Sequence, residues 1–305
     1  MADTQLLLLG IFAGLGVFLG LPLAALQKVS PKWKGFLNAF ATGILIFLMV
    51  DAFGDAWQSI AHTAFNAFEG QMPVSDAVFA VLAMFGGLLI GLFGLAYANR
   101  YMKILVKSVR SESSEFHGKL MQERLFEGVE QVNGCRLSLI IALGIGIHNF
   151  NEGLKLGHFY ASGPIGLALS LSLLIGILLH GATKGFGIAG PLTGLSKMPS
   201  YRLLVATAVI CGLPTLIGTE IGGLWFSGLF FVFFMAVAAG ALVYATAMQT
   251  LSLRGPVLTA VSPKYLLMYT AGKRQVTNRI LVIGVFFGLM AALTSNLLII
   301  ISGLL

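Results

Sequence analysis

The chain has 305 residues, of which 57% are hydrophobic and only 10% charged, with a formal net charge of +7. An ordinary soluble domain carries about 25% charged residues, so this composition excludes a water-soluble globular protein and fits a lipid bilayer. Cys135 and Cys211 lie in or beside apolar stretches and imply no disulfide framework.

A spanning helix needs about 20 mostly apolar residues. Eight windows meet that length, at about 5–27, 36–54, 77–97, 137–159, 164–188, 203–224, 227–249 and 279–303. The first begins without a basic n-region or a small-residue cleavage site, and is read as a retained helix. Breakers mark the joins: Ser30-Pro31, Gly70 to Pro73, Gly163-Pro164, Pro199-Ser200 and Gly255-Pro256. Only the stretch 100–136 is long and hydrophilic. It reads as a cytoplasmic loop, and no separate soluble domain is expected. The expected fold is all-α, a polytopic membrane protein of eight helices in one transmembrane domain. Gly86-Gly87 with Gly91, and Gly222-Gly223, read as positions of close helix approach.

Charge placement gives an orientation. Of the 19 basic residues, all but Lys155 and Lys184 fall in the joins after helices 1, 3, 5 and 7. The positive-inside rule puts those joins in the cytoplasm and both termini outside. The positive charge is thus a topology signal and calls for no nucleic-acid partner. A cell (inner) membrane is the expected location.

Ionisable side chains inside spans are costly and usually face a pathway or a partner. Here they are Asp51 in helix 2, His148, Glu152, Lys155 and His158 in helix 4, His180 and Lys184 in helix 5, and Glu220 in helix 6. His148 and Glu152 are four residues apart, as are His180 and Lys184, so each pair shares a helix face. A short turn makes helices 4 and 5 antiparallel neighbours, and the two pairs overlap in depth. Two imidazoles and a carboxylate then converge, a set suited to zinc, iron(II), manganese or cobalt. The plainer alternative is a packed core in which His148 and Glu152 hydrogen-bond, with Lys184 as counter-ion.

The run His148-Asn149-Phe150-Asn151-Glu152-Gly153 resembles the fourth-helix signature of the ZIP family of divalent-metal transporters. His180-Gly181-Ala182-Thr183-Lys184-Gly185 stands where that family's fifth-helix motif belongs, and Glu220 matches its acidic position in helix 6. The resemblance implies a bundle with helices 4 and 5 central, helices 1–3 and 6–8 as an inverted pair, and metal moving toward the cytoplasm. It also implies a transport site, often for two metals, in helices 4 and 5. The chain departs from the family where Gly181 and Lys184 replace acidic residues, where helix 7 offers Met248-Gln249, and where the long loop holds His117 alone. One metal is therefore expected, held by His148, Glu152 and His180. Asp51 is the candidate further ligand, with Met49 and then Asn149 weaker. Asn151 is read as a supporting residue beside the ligands. Gln249 is a pathway position, and His158 lies at the outer mouth. Lys155 reads as an ion-pair or snorkelling residue, and Asp55 and His62 as solvated or entrance groups.

A divalent ion about 4 Å from an ammonium is repelled by roughly 8 kcal/mol at an effective dielectric of 20. Either Lys184 stands in for a second metal, neutralising Glu152 or Glu220, or it gives up its proton as metal binds. The first reading is favoured because carboxylate partners stabilise the charged form. The expected function is secondary transport of zinc or iron(II), the ion being substrate, with no organic cofactor and no enzymatic activity. No ATP-binding motif is present, so a gradient would drive it. Its partners are the metal ion and the lipid bilayer. A homodimer stays open, because no interface can be read from the sequence. The rivals are an intramembrane metal-dependent hydrolase, a retinal-type pigment on Lys184, and a non-transporting metal sensor of the same fold. The absence of an HExxH motif counts against the hydrolase.

Overall fold

The computed structural model describes residues 4–26, 28–110, 119–195, 197–253 and 278–304. Among them are eight α-helices and no strand: α1 Thr4–Leu15, α2 Pro31–Phe68, α3 Val74–Arg110, α4 Lys119–Ala161, α5 Pro164–Ala189, α6 Tyr201–Leu224, α7 Gly228–Leu253 and α8 Asn278–Leu304. Two tight 3-10 turns, Gly16–Leu19 and Leu21–Ala25, extend α1. Seven of these segments are long and apolar enough to cross a membrane. The remaining helix, α5, has 26 residues, a spanning length. The molecule is an all-helical integral membrane protein.

Local chemistry sets the helix starts. The Ser30 hydroxyl accepts from the Trp33 amide at 3.4 Å with Pro31 at the first helical position, and Ser200 caps Leu203 at 3.2 Å. Gly163, between α4 and α5, has φ 95°, which L side chains rarely adopt.

Helices α2, α3 and α4 run well past the windows 36–54, 77–97 and 137–159. Apolar length measures only the membrane-crossing part, and a helix continues wherever its charged residues can reach water. The stretch 100–136 is accordingly helical at both ends, through Arg110 and from Lys119; residues 111–118, with His117, lie outside the described residues. So do Arg254, Lys264, Lys273 and Arg274.

α4 packs most extensively on α6, α3 on α7, and α2 on α8 and α7, while α5 lies against α8 and α4. Of the seven spans, α4 is the most deeply buried, followed by α7. Near the start of α2, Lys34 Nζ donates to Glu130 Oε1 of α4 at 2.6 Å and to the Gly194 carbonyl at 2.9 Å.

The α4–α6 seam fixes where the ionisable residues of α4 stand. In a bilayer, helices gain little from hydrophobic association and depend on close packing of small residues. A Cβ at Gly157 would fall on the Thr219 carbonyl oxygen, and one at Gly153 on that of Thr215. Gly157→Ala should therefore lower stability by about 1–3 kcal/mol, read as an earlier thermal-unfolding midpoint in detergent. Gly94, in α3, has open space around its Cβ direction. Gly94→Ala should leave the midpoint unchanged or raise stability by up to about 1 kcal/mol.

Candidate metal centre

Helical spacing places His148 and Glu152 on one face of α4, and His180 and Lys184 on one face of α5. The two faces meet at one atom, Glu152 Oε1. It lies 3.4 Å from His148 Nε2, 3.7 Å from His180 Nε2 and 2.6 Å from Lys184 Nζ. His148, Glu152 and His180 each present a ligand atom within 4.8 Å of the others, a group able to hold a metal ion.

Zinc bound tetrahedrally at about 2.0–2.1 Å sets its donors about 3.3 Å apart. The two histidine–glutamate separations are close to that edge. Both nitrogens of His148 and Nε2 of His180 are buried with no hydrogen-bond partner among the described residues. Leaving such a group unsatisfied costs about 1–3 kcal/mol, and buried polar atoms in native structures are rarely left so. A cation beside Glu152 Oε1 would satisfy the two Nε2 atoms, while His148 Nδ1 would remain an N–H without a partner among the described residues.

Lys184 is fully buried, and its ammonium also donates to Asn149 Oδ1 at 2.7 Å. Asn149 in turn donates to the Cys211 carbonyl at 3.0 Å and lies 3.3 Å from the Cys211 sulfur. Asn149 Oδ1 thus spends one of its two lone pairs on the ammonium. Asp51 of α2 joins the edge of the group, with Oδ2 3.8 Å from His148 Nε2 and Oδ1 accepting from Asn296 of α8 at 3.0 Å. The other face of His180 is fixed: Nδ1 lies 2.8 Å from Ser295 Oγ, and the Phe47 ring stands edge-on, 6.4 Å between centroids.

Other expected positions lie elsewhere. The counter-ion of Lys184 is Glu152 and not Glu220. Glu220 makes no ion pair among the described residues, and its Oε1 is buried without a partner. It lies near the end of α6, on a side shared with exposed Leu213, Ile217 and Leu224. Gln249 donates to the Asn38 carbonyl at 3.1 Å. Asn38 is about 20 Å along α2 from Asp51 at 1.5 Å per residue, so Gln249 is remote from the histidines. Met49 packs against the apolar core. Asn151 is buried beside the ligands, its amide nitrogen 3.5 Å from the Ile147 carbonyl. His158 is exposed and stacks on Phe226 at 4.3 Å. Lys155 pairs with Asp55 at 2.6 Å and lies 5.2 Å from the Phe231 ring centroid.

Access is graded. Side-chain exposure rises from 12% at Glu152 through 21% at Asp51 and 27% at Asp55 to 35% at Lys155. In the opposite direction along α2 and α4, Ile44, Leu48, Ile141 and Ile145 are sealed.

Sequence reading missed Ser295, Asn296 and Cys211. The signal was present for the first two: Thr294-Ser295-Asn296 is a polar run inside an otherwise apolar α8. A search confined to ionisable residues passes over it. Comparisons with protein-family models, curated proteins and solved structures give no match to this chain.

Removing one member of a buried ion pair leaves the other charge unpaired, which typically costs about 3–5 kcal/mol. Lys184→Met, which keeps the side-chain length, should destabilise by that amount. In the Glu152→Gln/Lys184→Met double variant the loss should be clearly less than additive, measured by unfolding in detergent.

Proposed function

We propose that this protein is a secondary transporter of a divalent transition-metal ion, zinc ahead of iron(II), and that it carries one ion at a time through His148, Glu152 and His180. The observation that carries this reading is the convergence of unpartnered, buried imidazole nitrogens on one carboxylate between membrane-crossing helices. The motif resemblance of α4 and α5 to the ZIP family points the same way. The ZIP resemblance implies movement toward the cytoplasm, and the positive-inside rule turns the better-exposed Asp55–Lys155 end outward.

Electrostatics favours a single ion. Two carboxylates, Glu152 and Asp51, and one amine, Lys184, meet at the centre, a formal sum of one negative charge before metal. One divalent ion leaves one net positive charge; a second would leave three. An ion bound to Glu152 Oε1 at about 2.1 Å would also stand within about 4.7 Å of the ammonium. Repulsion there is roughly 7 kcal/mol at an effective dielectric of 20. Loading therefore requires Lys184 to give up Oε1 and rest on Asn149, which already accepts its other hydrogen bond.

The protein in proteoliposomes should take up zinc or iron(II) saturably, and His148→Ala should reduce uptake to the level of empty vesicles. Binding at one site without uptake of either ion would instead favour a sensor or a hydrolase. Lys184→Glu should raise the bound metal from one to two ions per chain in a titration; an unchanged stoichiometry would remove Lys184 as the cause of single loading.

A further inference from the structure

Residues of α8 touch the centre from outside the ligand set. Successive residues on a helix point about 100° apart, and α8 lies against both α5 and α2. Ser295 accordingly reaches His180 of α5, while Asn296 reaches Asp51 of α2. Thr294, the third polar residue of the run, is exposed and bonds only its own helix, at the Met290 carbonyl.

The Ser295 hydroxyl has one proton and two close neighbours. Its oxygen is 2.8 Å from the Ala292 carbonyl and 2.8 Å from His180 Nδ1. A carbonyl oxygen can only accept, so the hydroxyl proton goes to Ala292, and Ser295 Oγ is then an acceptor toward the ring. The opposite arrangement would face two bare oxygens at 2.8 Å. The Thr183 hydroxyl, 3.5 Å from Ser295 Oγ, is likewise committed to a carbonyl, that of His180, at 2.7 Å. His180 must therefore carry its proton on Nδ1. Its Nε2, buried and unpartnered, presents a lone pair toward Glu152 and His148. A hydrogen bond donated by one imidazole nitrogen, which leaves the lone pair of the other free to ligate, is the usual way a metal-binding histidine is oriented. On Asp51, the Asn296 amide occupies Oδ1 and leaves Oδ2 as the oxygen nearest His148.

We infer that Ser295 and Asn296 are positioning residues of this metal centre, Ser295 setting the tautomer of His180 and Asn296 orienting the Asp51 carboxylate. The inference rests on the metal-binding reading above and adds to it two residues of a helix that supplies no ligand.

Two measurements on the full chain in detergent micelles test it. In metal-free protein labelled with 15N-histidine, the ring signals of His180, assigned by their loss in His180→Ala, should show Nδ1 protonated. They should shift toward a mixture of tautomers in Ser295→Ala. Zinc affinity, read by competition with a chelating dye, should fall about 10–100-fold in Ser295→Ala, recover to within a few-fold in Ser295→Thr, and fall about tenfold in Asn296→Ala. A structural role alone would lower the unfolding midpoint without moving the tautomer or separating Ala from Thr. His180 protonated on Nε2 in the native protein would overturn the inference, as would wild-type affinity in Ser295→Ala. Failure of the native protein to bind zinc at all would count against the metal reading itself, and the tautomer would still decide the Ser295 assignment. Should Ser295→Ala not fold, the native-protein spectrum and Ser295→Thr carry the test.

Discussion

The buried contact between Lys184 and Glu152 is the constraint around which the centre is organised. Two charges withdrawn from water each carry a desolvation cost of several kcal/mol, and only close pairing with further hydrogen bonds offsets it. The structure supplies both. Glu152 accepts the ammonium at 2.6 Å, and Asn149 accepts it at 2.7 Å while anchored to Cys211. That short chain runs from α6 through α4 to α5. Through His180 and Ser295 it continues to α8, and through His148, Asp51 and Asn296 it reaches α2 and returns to α8. Polar groups in a low-dielectric interior are costly when unpaired and specific when paired. The network therefore fixes the relative depth of five helices whose apolar faces alone would tolerate sliding.

Backbone packing and this network depend on one another. The α4–α6 seam has no room for side chains at Gly153 or Gly157, so α4 cannot rotate or shift along α6 without leaving a gap. That holds Asn149 at its distance from Cys211, and so sets where the ammonium of Lys184 can rest. Close approach of helices, which looks like simple space-filling, decides the position of a charge.

The eight helices were legible because membrane-crossing segments need length and apolarity, and both are local properties. The pairs His148/Glu152 and His180/Lys184 were legible because four-residue spacing fixes a helix face. Three other positions turn on information that no single helix contains. Glu220 and Glu152 are both candidate counter-ions of Lys184, and only the tertiary contacts show that Glu152 is the one paired with it. Gln249 is a pathway position by the ZIP resemblance, whereas its amide donates to Asn38, far along α2 from Asp51. Asn149 has the chemistry of a weak ligand, and only the tertiary contacts reveal that its oxygen also accepts from Lys184. Ser295 and Asn296 were passed over because a neutral side chain in a span carries a small desolvation cost and gives a correspondingly faint sequence signal.

The relation of α2 to α4 carries the last step. These helices do not rank among the closely packed pairs, yet three polar contacts cross between them: Lys34 to Glu130, Asp51 to His148, and Asp55 to Lys155. Backbones that stand apart while long polar side chains bridge them leave a seam, in contrast to the interlocked contact of α4 with α6. Along that seam, the Lys34 end is separated from the histidines by sealed aliphatic side chains, and the Lys155 end by a partly exposed ion pair. An aliphatic plug excludes a hydrated ion by denying it any ligand, whereas a carboxylate–ammonium pair offers a cation a carboxylate in exchange for displacing the ammonium. The two barriers are thus unequal in kind. The Asp55 end therefore presents a partly exposed carboxylate one helical turn from Asp51, and the opposite side presents the buried side chains of Ile44, Leu48, Ile141 and Ile145.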